Sequence, residues 1–302
     1  MRKPWSLSFA GLLCGALALS ASACGTVPSQ QGPATNTGKV QVLYAGSLVD
    51  VMENAIGPAF HKATGYTLEG VAGGSTELAS EITGRLRQGD VFISAAPSVN
   101  ASLEGPANGR WASWYITFAQ APLVIGYNPQ SSFARALQTQ PWYAVMEQPG
   151  FRLGRTDPKL DPKGLLTLRA VDAAASYYHQ PNLAQRILGG EENPSQVFPE
   201  EDLLGRLQAG QLDAGFFYAN EAVQAHLPII RLPKALHFAA TFTVTVLRGA
   251  PHAAAAKAFV GFLLGRAGQA LLRKDGLTIV PYAVNGSAAA SMPVRQWQAL
   301  NP

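Results

Sequence analysis

The chain has 302 residues, 47% of them hydrophobic and 14% charged, with a formal net charge of +4. That balance describes a packed globular protein and excludes a disordered chain. Discounting Arg2 and Lys3 lowers the charge to +2 and no basic run is present, so no nucleic-acid partner is expected.

Arg2 and Lys3 precede an almost wholly apolar stretch over 7–19, which gives way to Ala21-Ser22-Ala23 and then Cys24. Charge, hydrophobe and small residues in that order make a secretory signal over 1–23. A Cys directly after the small residues resembles a lipobox, which implies cleavage before Cys24 and acylation of that residue. The apolar run has 13 residues, too few for a bilayer, which takes about 20. The expected place is the extracytoplasmic face of the cell membrane, held by lipid. Cys14 and Cys24 are the two cysteines, so the body has no thiol for a disulfide, a metal site or a nucleophile. Residues 24–39, with two Pro and no charge over 25–38, read as the lipidated Cys and a flexible tether.

The body then alternates strands and helices. A strand over 40–44 ends at Ala45-Gly46-Ser47 and leads into a helical pattern through Leu48, Val51, Met52, Ala55 and Ile56. A second strand over 66–71 ends at Gly73-Gly74-Ser75, followed by a helix over 76–87 and a third strand over 91–95. Such spacing predicts βαβ units and a parallel sheet. Residues 111–127 are the longest apolar stretch, and the internal Pro122 suggests two consecutive strands leading from one lobe into another. Helices over 163–178 and 200–208, strands over 213–218 and 238–247, and a long Ala-rich helix to about residue 273 complete the order.

Two places share a strand, a glycine turn, a Ser and a helix: Tyr44-Ala45-Gly46-Ser47 and Ala72-Gly73-Gly74-Ser75. First-turn N–H groups and the helix dipole make such a turn an anion seat without Lys or Arg. Plain capping is the competing reading, with Ser47 and Asp50 as a capping box and Ser75 as an N-cap. At Asp161-Pro162 the pattern is N-cap then N1, with the backbone N–H groups of Lys163 and Gly164 facing outward. The strand ending at Tyr218 could send its hydroxyl into a cleft or pack it in an interface. No G-x-S-x-G elbow, P-loop, G-x-G-x-x-G or H-E-x-x-H occurs, and the five His lack metal-ligand spacing. The chain is therefore expected to be no enzyme and to need no cofactor; a hydrolase using Ser47 or Ser75 would lack an evident His base.

Five segments in order, YAGSL at 44–48, GGSTELA at 73–79, VFISA at 91–95, GRTDPKLDPKG at 154–164 and LDAGFFYANEA at 212–222, resemble the molybdate-binding proteins. These are the substrate-binding components of ATP-binding-cassette importers for molybdate and tungstate, and the resemblance covers about 40–281. It implies an α/β, two-lobed periplasmic-binding-protein-like fold of type II, with a hinge between two mixed or parallel sheets flanked by helices. Lobe 1 would be 40–120 plus 243–302 and lobe 2 would be 121–242, in a monomer that delivers its ligand to a permease. By position, Ser47 and Ser75 would donate from lobe 1, and the backbone of Lys163 and the hydroxyl of Tyr218 from lobe 2. A subgroup resembling archaeal tungstate binders adds an Asp, which falls on Asp161, and a Glu, which falls on Phe217. With Phe there, a tetrahedral anion held by hydrogen bonds fits better than a six-coordinate metal. The alternatives are the same fold tuned to sulfate or a small organic anion, or a lipid-anchored sensor or adhesion module.

Overall fold

The computed structural model describes residues 38–287 and 292–300, so the expected signal and Cys24 lie outside the described residues. The strands are β1 (Lys39–Ala45), β2 (Thr67–Gly73), β3 (Val91–Ser94), β4 (Tyr115–Tyr127), β5 (Leu153–Thr156), β6 (Val197–Phe198), β7 (Ala214–Tyr218), β8 (Ile229–Arg231), β9 (Ala239–Val246) and β10 (Thr278–Asn285). Hydrogen bonds link them in the order β2-β1-β3-β9-β4-β7-β5-β6, with β8 and β10 paired to β4 off that path.

Each half repeats one arrangement that has no counterpart as a sequence repeat. β1 lies between β2 and β3, parallel to both, and β5 lies between β6 and β7, parallel to both. The inner strands are covered on both faces, so they read as apolar runs rather than alternations. Val42, Leu43, Tyr44 and Ala45 of β1 are all buried, and so is every residue of β7. Along β7 the pleat sorts the aromatic residues: Phe216 and Tyr218 join the main core, while Phe217 packs with Leu203, Leu207 and Leu212.

The 111–127 stretch holds one strand, β4, over its last 13 residues, rather than two. Its first part pairs antiparallel with β9 and β10, and from Leu123 onward it pairs with β7 and β8. Pro122, opposite Ala239, is the last pair before the changeover, where a missing N–H is best tolerated. The ladder resumes at once, Leu123 N donating to Phe238 O at 2.7 Å, so one continuous strand joins the two halves.

The Ala-rich helix divides into Ala253–Leu264 and Arg266–Lys274, broken by Gly265 in an extended conformation. Gly268 allows the second piece to fold close over the first, because a Cβ there would lie 2.3 Å from Leu263 O. The helix after β2 runs Ser75–Thr83, shorter than expected, since Gly84 and a left-handed Arg85 (φ 57°) turn the chain away. Among the described residues no helix is long and apolar enough to cross a membrane.

Candidate functional site

The carboxyl ends of β1, β2, β5 and β7 approach one another, which is where α/β sheets gather ligand groups. After β1 the chain makes a 3-10 turn, Gly46–Leu48, instead of a capped helix. Ser47 makes no side-chain cap to the helix, so the expected capping box with Asp50 is absent. It is 7% exposed, and its Oγ has no hydrogen-bond partner among the described residues. Gly46 lets the Glu200 carboxylate approach the turn closely, since a Cβ there would stand 1.8 Å from Glu200 Oε2 and push that side chain aside.

After β2, the cap position belongs to Gly74 and Ser75 is the first helical residue, which corrects its reading as an N-cap. Ser75 is fully buried, and its Oγ accepts from Ala95 N at 3.1 Å, leaving the hydroxyl proton free to be donated. The N–H groups of Thr76 and Glu77 do not face an open seat. Both donate to Leu160 O, each at 3.0 Å, so a carbonyl from the other half caps this helix.

Asp161 is the N-cap of helix Pro162–Tyr177, with Pro at its first position. Its Oδ1 accepts from Lys163 N at 2.6 Å and from Thr156 Oγ1 at 3.2 Å. The Lys163 backbone N–H is therefore spent on the cap rather than facing outward. The side chain enters the site in its place. Lys163 Nζ, fully buried, lies 2.8 Å from Glu200 Oε1 and 2.7 Å from Glu221 Oε1. It also sits 5.6 Å from the ring centroids of Phe217 and Tyr218. Glu221 Oε2 accepts from Tyr218 N at 2.7 Å, which fixes the turn from β7 into helix Ala219–Gln224. Tyr218 Oη is buried with no partner among the described residues.

Burial pushes Asp161 up to about 7, and the charge of Glu200 adds to the shift. Burial likewise pushes Glu221 up to about 7, against the pull of Lys163. Burial alone would lower Lys163, but Glu200, Glu221 and Asp161 outweigh it and hold the ammonium protonated above its ordinary range. Tyr218 is raised by burial and then by Asp161, Glu221 and Glu200, so its hydroxyl remains a donor. One cation thus faces three carboxyl groups, two of which change protonation near neutral pH.

Two clefts flank Glu200. One of about 330 Å³ is lined by Ser47, Glu221, Asn220 and Asp275 among others, and one of about 250 Å³ by Gly74, Glu77 and Asp161. Asn220 Nδ2 ties the halves by donating to Ser47 O at 2.7 Å. Sequence reasoning missed Glu200, Asn220 and Glu221. Glu221 had a local signal, three residues after Tyr218 at a helix start, whereas Glu200 looked like an ordinary first-turn acid. No group of three or more His, Cys, Asp or Glu among the described residues is placed to hold a metal ion; this acidic cluster closes on an ammonium.

A family described as bacterial extracellular solute-binding protein matches residues 40–278. A Haloferax volcanii protein assigned as an ABC transporter molybdenum-binding protein is 31% identical, over 92% of this chain and 92% of its own. The molybdate/tungstate-binding protein WtpA of Pyrococcus abyssi is 23% identical over 79% of this chain and 84% of its own. Among solved structures, the periplasmic molybdate-binding protein of Azotobacter vinelandii superposes with a TM-score of 0.62 at 17% identity, covering 80% of this chain and 99% of its own. That likeness identifies the fold as the two-lobed α/β fold of periplasmic binding proteins, with β4 shared between the two sheets. With the family matched across most of its body, the chain belongs to the bacterial extracellular solute-binding proteins.

Proposed function

We propose that this protein captures a tetrahedral oxyanion, molybdate or tungstate, between lobe 1 (40–120 plus 243–302) and lobe 2 (121–242). It delivers the anion to an ATP-binding-cassette permease while acylated Cys24 holds it, as a monomer, on the outer face of the membrane. The names of its relatives support the ligand class. The observation that carries the reading is the pair of hydroxyls, Ser47 Oγ from one half and Tyr218 Oη from the other, buried without partners among the described residues. An unsatisfied buried polar group costs about 1–3 kcal/mol, so retaining two is best explained by a ligand that accepts from both. Ser75, with its free hydroxyl proton, is the third donor.

Asp161 and Glu221 fit beside a dianion when they carry protons, since charged carboxylates would repel it. Titrating near 7, they can do so, and a protonated Asp161 then donates. Phe217, locked among Leu203, Leu207 and Leu212, offers no second carboxylate for six-coordination, which favours the tetrahedral anion. The reading is binding without catalysis. Titration calorimetry against molybdate, tungstate, sulfate and phosphate tests it. Heat from the first two alone is expected; silence toward all four would overturn the oxyanion assignment.

A further inference from the structure

The end of the first sheet opposite the ligand cleft carries a different kind of surface. β1 and β3 run parallel, with Val42 opposite Val91, and Asp90 N donates to Gln41 O at 2.8 Å. The chain therefore enters β1, at Lys39, beside the loop that leads into β3. In that loop Arg85, Leu86, Arg87 and Gln88 are all exposed. Leu86 is 82% exposed, the most exposed large hydrophobic side chain among the described residues. Arg85, held in the left-handed region, lies 6.0 Å from the Trp111 ring centroid. Arg248 joins the same place, its N–H donating to Trp111 O at 2.8 Å. Together Arg85, Arg87, Trp111 and Arg248 border a concavity of about 400 Å³. Arg87 is paired with Glu81, but Arg85 and Arg248 make no ion pair among the described residues.

We propose that this Arg85–Gln88 loop, with Trp111 and Arg248, is a membrane-facing surface that seats an anionic lipid headgroup. Arginines attract the negative surface of a membrane, and an indole beside them suits the boundary between headgroup and acyl chain. A protruding Leu flanked by two Arg is what a shallow interfacial contact needs: apolar surface to bury and charges that stay at headgroup level. Position adds to chemistry, because the surface lies at the end of the sheet where the chain arrives from its N-terminal segment. The proposal takes from the proposed function only the anchor at Cys24. The 14 residues of 25–38 span at most about 50 Å, enough to let this face reach the bilayer.

Leu86→Cys labelled with an environment-sensitive fluorophore tests the contact, since Cys14 leaves with the signal and Cys24 is acylated. The full-length acylated protein is placed in vesicles of phosphatidylcholine alone or of equimolar phosphatidylcholine and phosphatidylglycerol. A blue shift is expected only with phosphatidylglycerol, lost at high salt and in Arg85→Glu/Arg87→Glu/Arg248→Glu. That triple variant should also weaken vesicle affinity roughly 100-fold. Equal emission in the two vesicles, or a shift that survives the triple variant, would overturn the surface. The same shift with free glycerol phosphate and no vesicles would also overturn it, in favour of a small-anion site. A labelled protein that does not float with either vesicle would instead refute the anchor. Mixing that protein with the same vesicles still decides the surface, a phosphatidylglycerol-dependent shift supporting it and no shift ending it.

Discussion

Ser47 and Ser75 look alike in sequence and differ in structure, and that difference predicts different consequences of losing them. Ser47 Oγ makes no hydrogen bond among the described residues, so Ser47→Ala should weaken oxyanion binding by about 1–3 kcal/mol while leaving the denaturation midpoint near its original value. Ser75 Oγ also satisfies the buried Ala95 N–H, so Ser75→Ala should reduce both affinity and stability. Calorimetry beside urea denaturation separates the two, and wild-type affinity in both variants would remove them from the site. Lys163→Met would leave Glu200 and Glu221 buried without their counter-charge, and should cost about 3–5 kcal/mol of stability. Adding Glu200→Gln and Glu221→Gln should return part of that loss in the same denaturation measurement. Asp161 and Glu221 titrate near 7 in the folded protein, above the ordinary carboxyl range near 4. Between about pH 4 and pH 7 the folded state therefore binds more protons than the unfolded one, and their contribution to stability falls as pH rises through that window. Oxyanion affinity should fall over the upper part of the same window, and calorimetry across pH with Asp161→Asn and Glu221→Gln should show a flatter profile.

At the level of elements, the turn after β2 and the loop before helix Pro162–Tyr177 act as one contact. Leu160 O caps the Ser75–Thr83 helix across the cleft, and a Cβ on Gly74 would come within 2.6 Å of that carbonyl. Gly74 has φ −59°, so Gly74→Ala strains no backbone and acts only by holding the halves apart. The expected outcome is a folded protein with impaired ligand binding and a larger radius of gyration with ligand present, read by small-angle scattering. The strand–glycine–helix pattern at 44–48 and 72–76 was legible because glycine turns and helix starts follow local rules. The continuity of β4 through Pro122 was not, because whether a proline interrupts a strand depends on which partner receives the next N–H. The division at Gly265 was equally hidden, since the run also holds Gly261 and Gly268, which stay helical, and nothing local sets Gly265 apart from them.

For the whole molecule, closure joins distant chain segments: Asn220 reaches Ser47, and Leu160 reaches Thr76 and Glu77. A ligand that binds only the folded, closed form should raise stability by mass action. At a free concentration one hundred times Kd the gain is about 2.7 kcal/mol. Thermal unfolding should therefore shift upward with molybdate and tungstate and remain unmoved with sulfate. An equal shift with sulfate would assign the cleft to oxyanions in general.

By itself the sequence determined the alternation of strands and helices, the two glycine turns, and Asp161-Pro162 as a helix start, because propensity, capping and periodicity act within a few residues. It also supplied the ordered segments that resemble the molybdate-binding proteins. Only the tertiary structure decided what fills the space between those segments. Lys163 meets Glu200 and Glu221 across 37 and 58 residues of chain, and such pairing leaves no periodic trace. Ser47 Oγ and Tyr218 Oη are buried without partners among the described residues, and beside the Tyr218 ring a buried ammonium, that of Lys163, is held between Glu200 and Glu221. Burial sets the protonation of Asp161 and Glu221, and burial is a property of the packed molecule rather than of any segment.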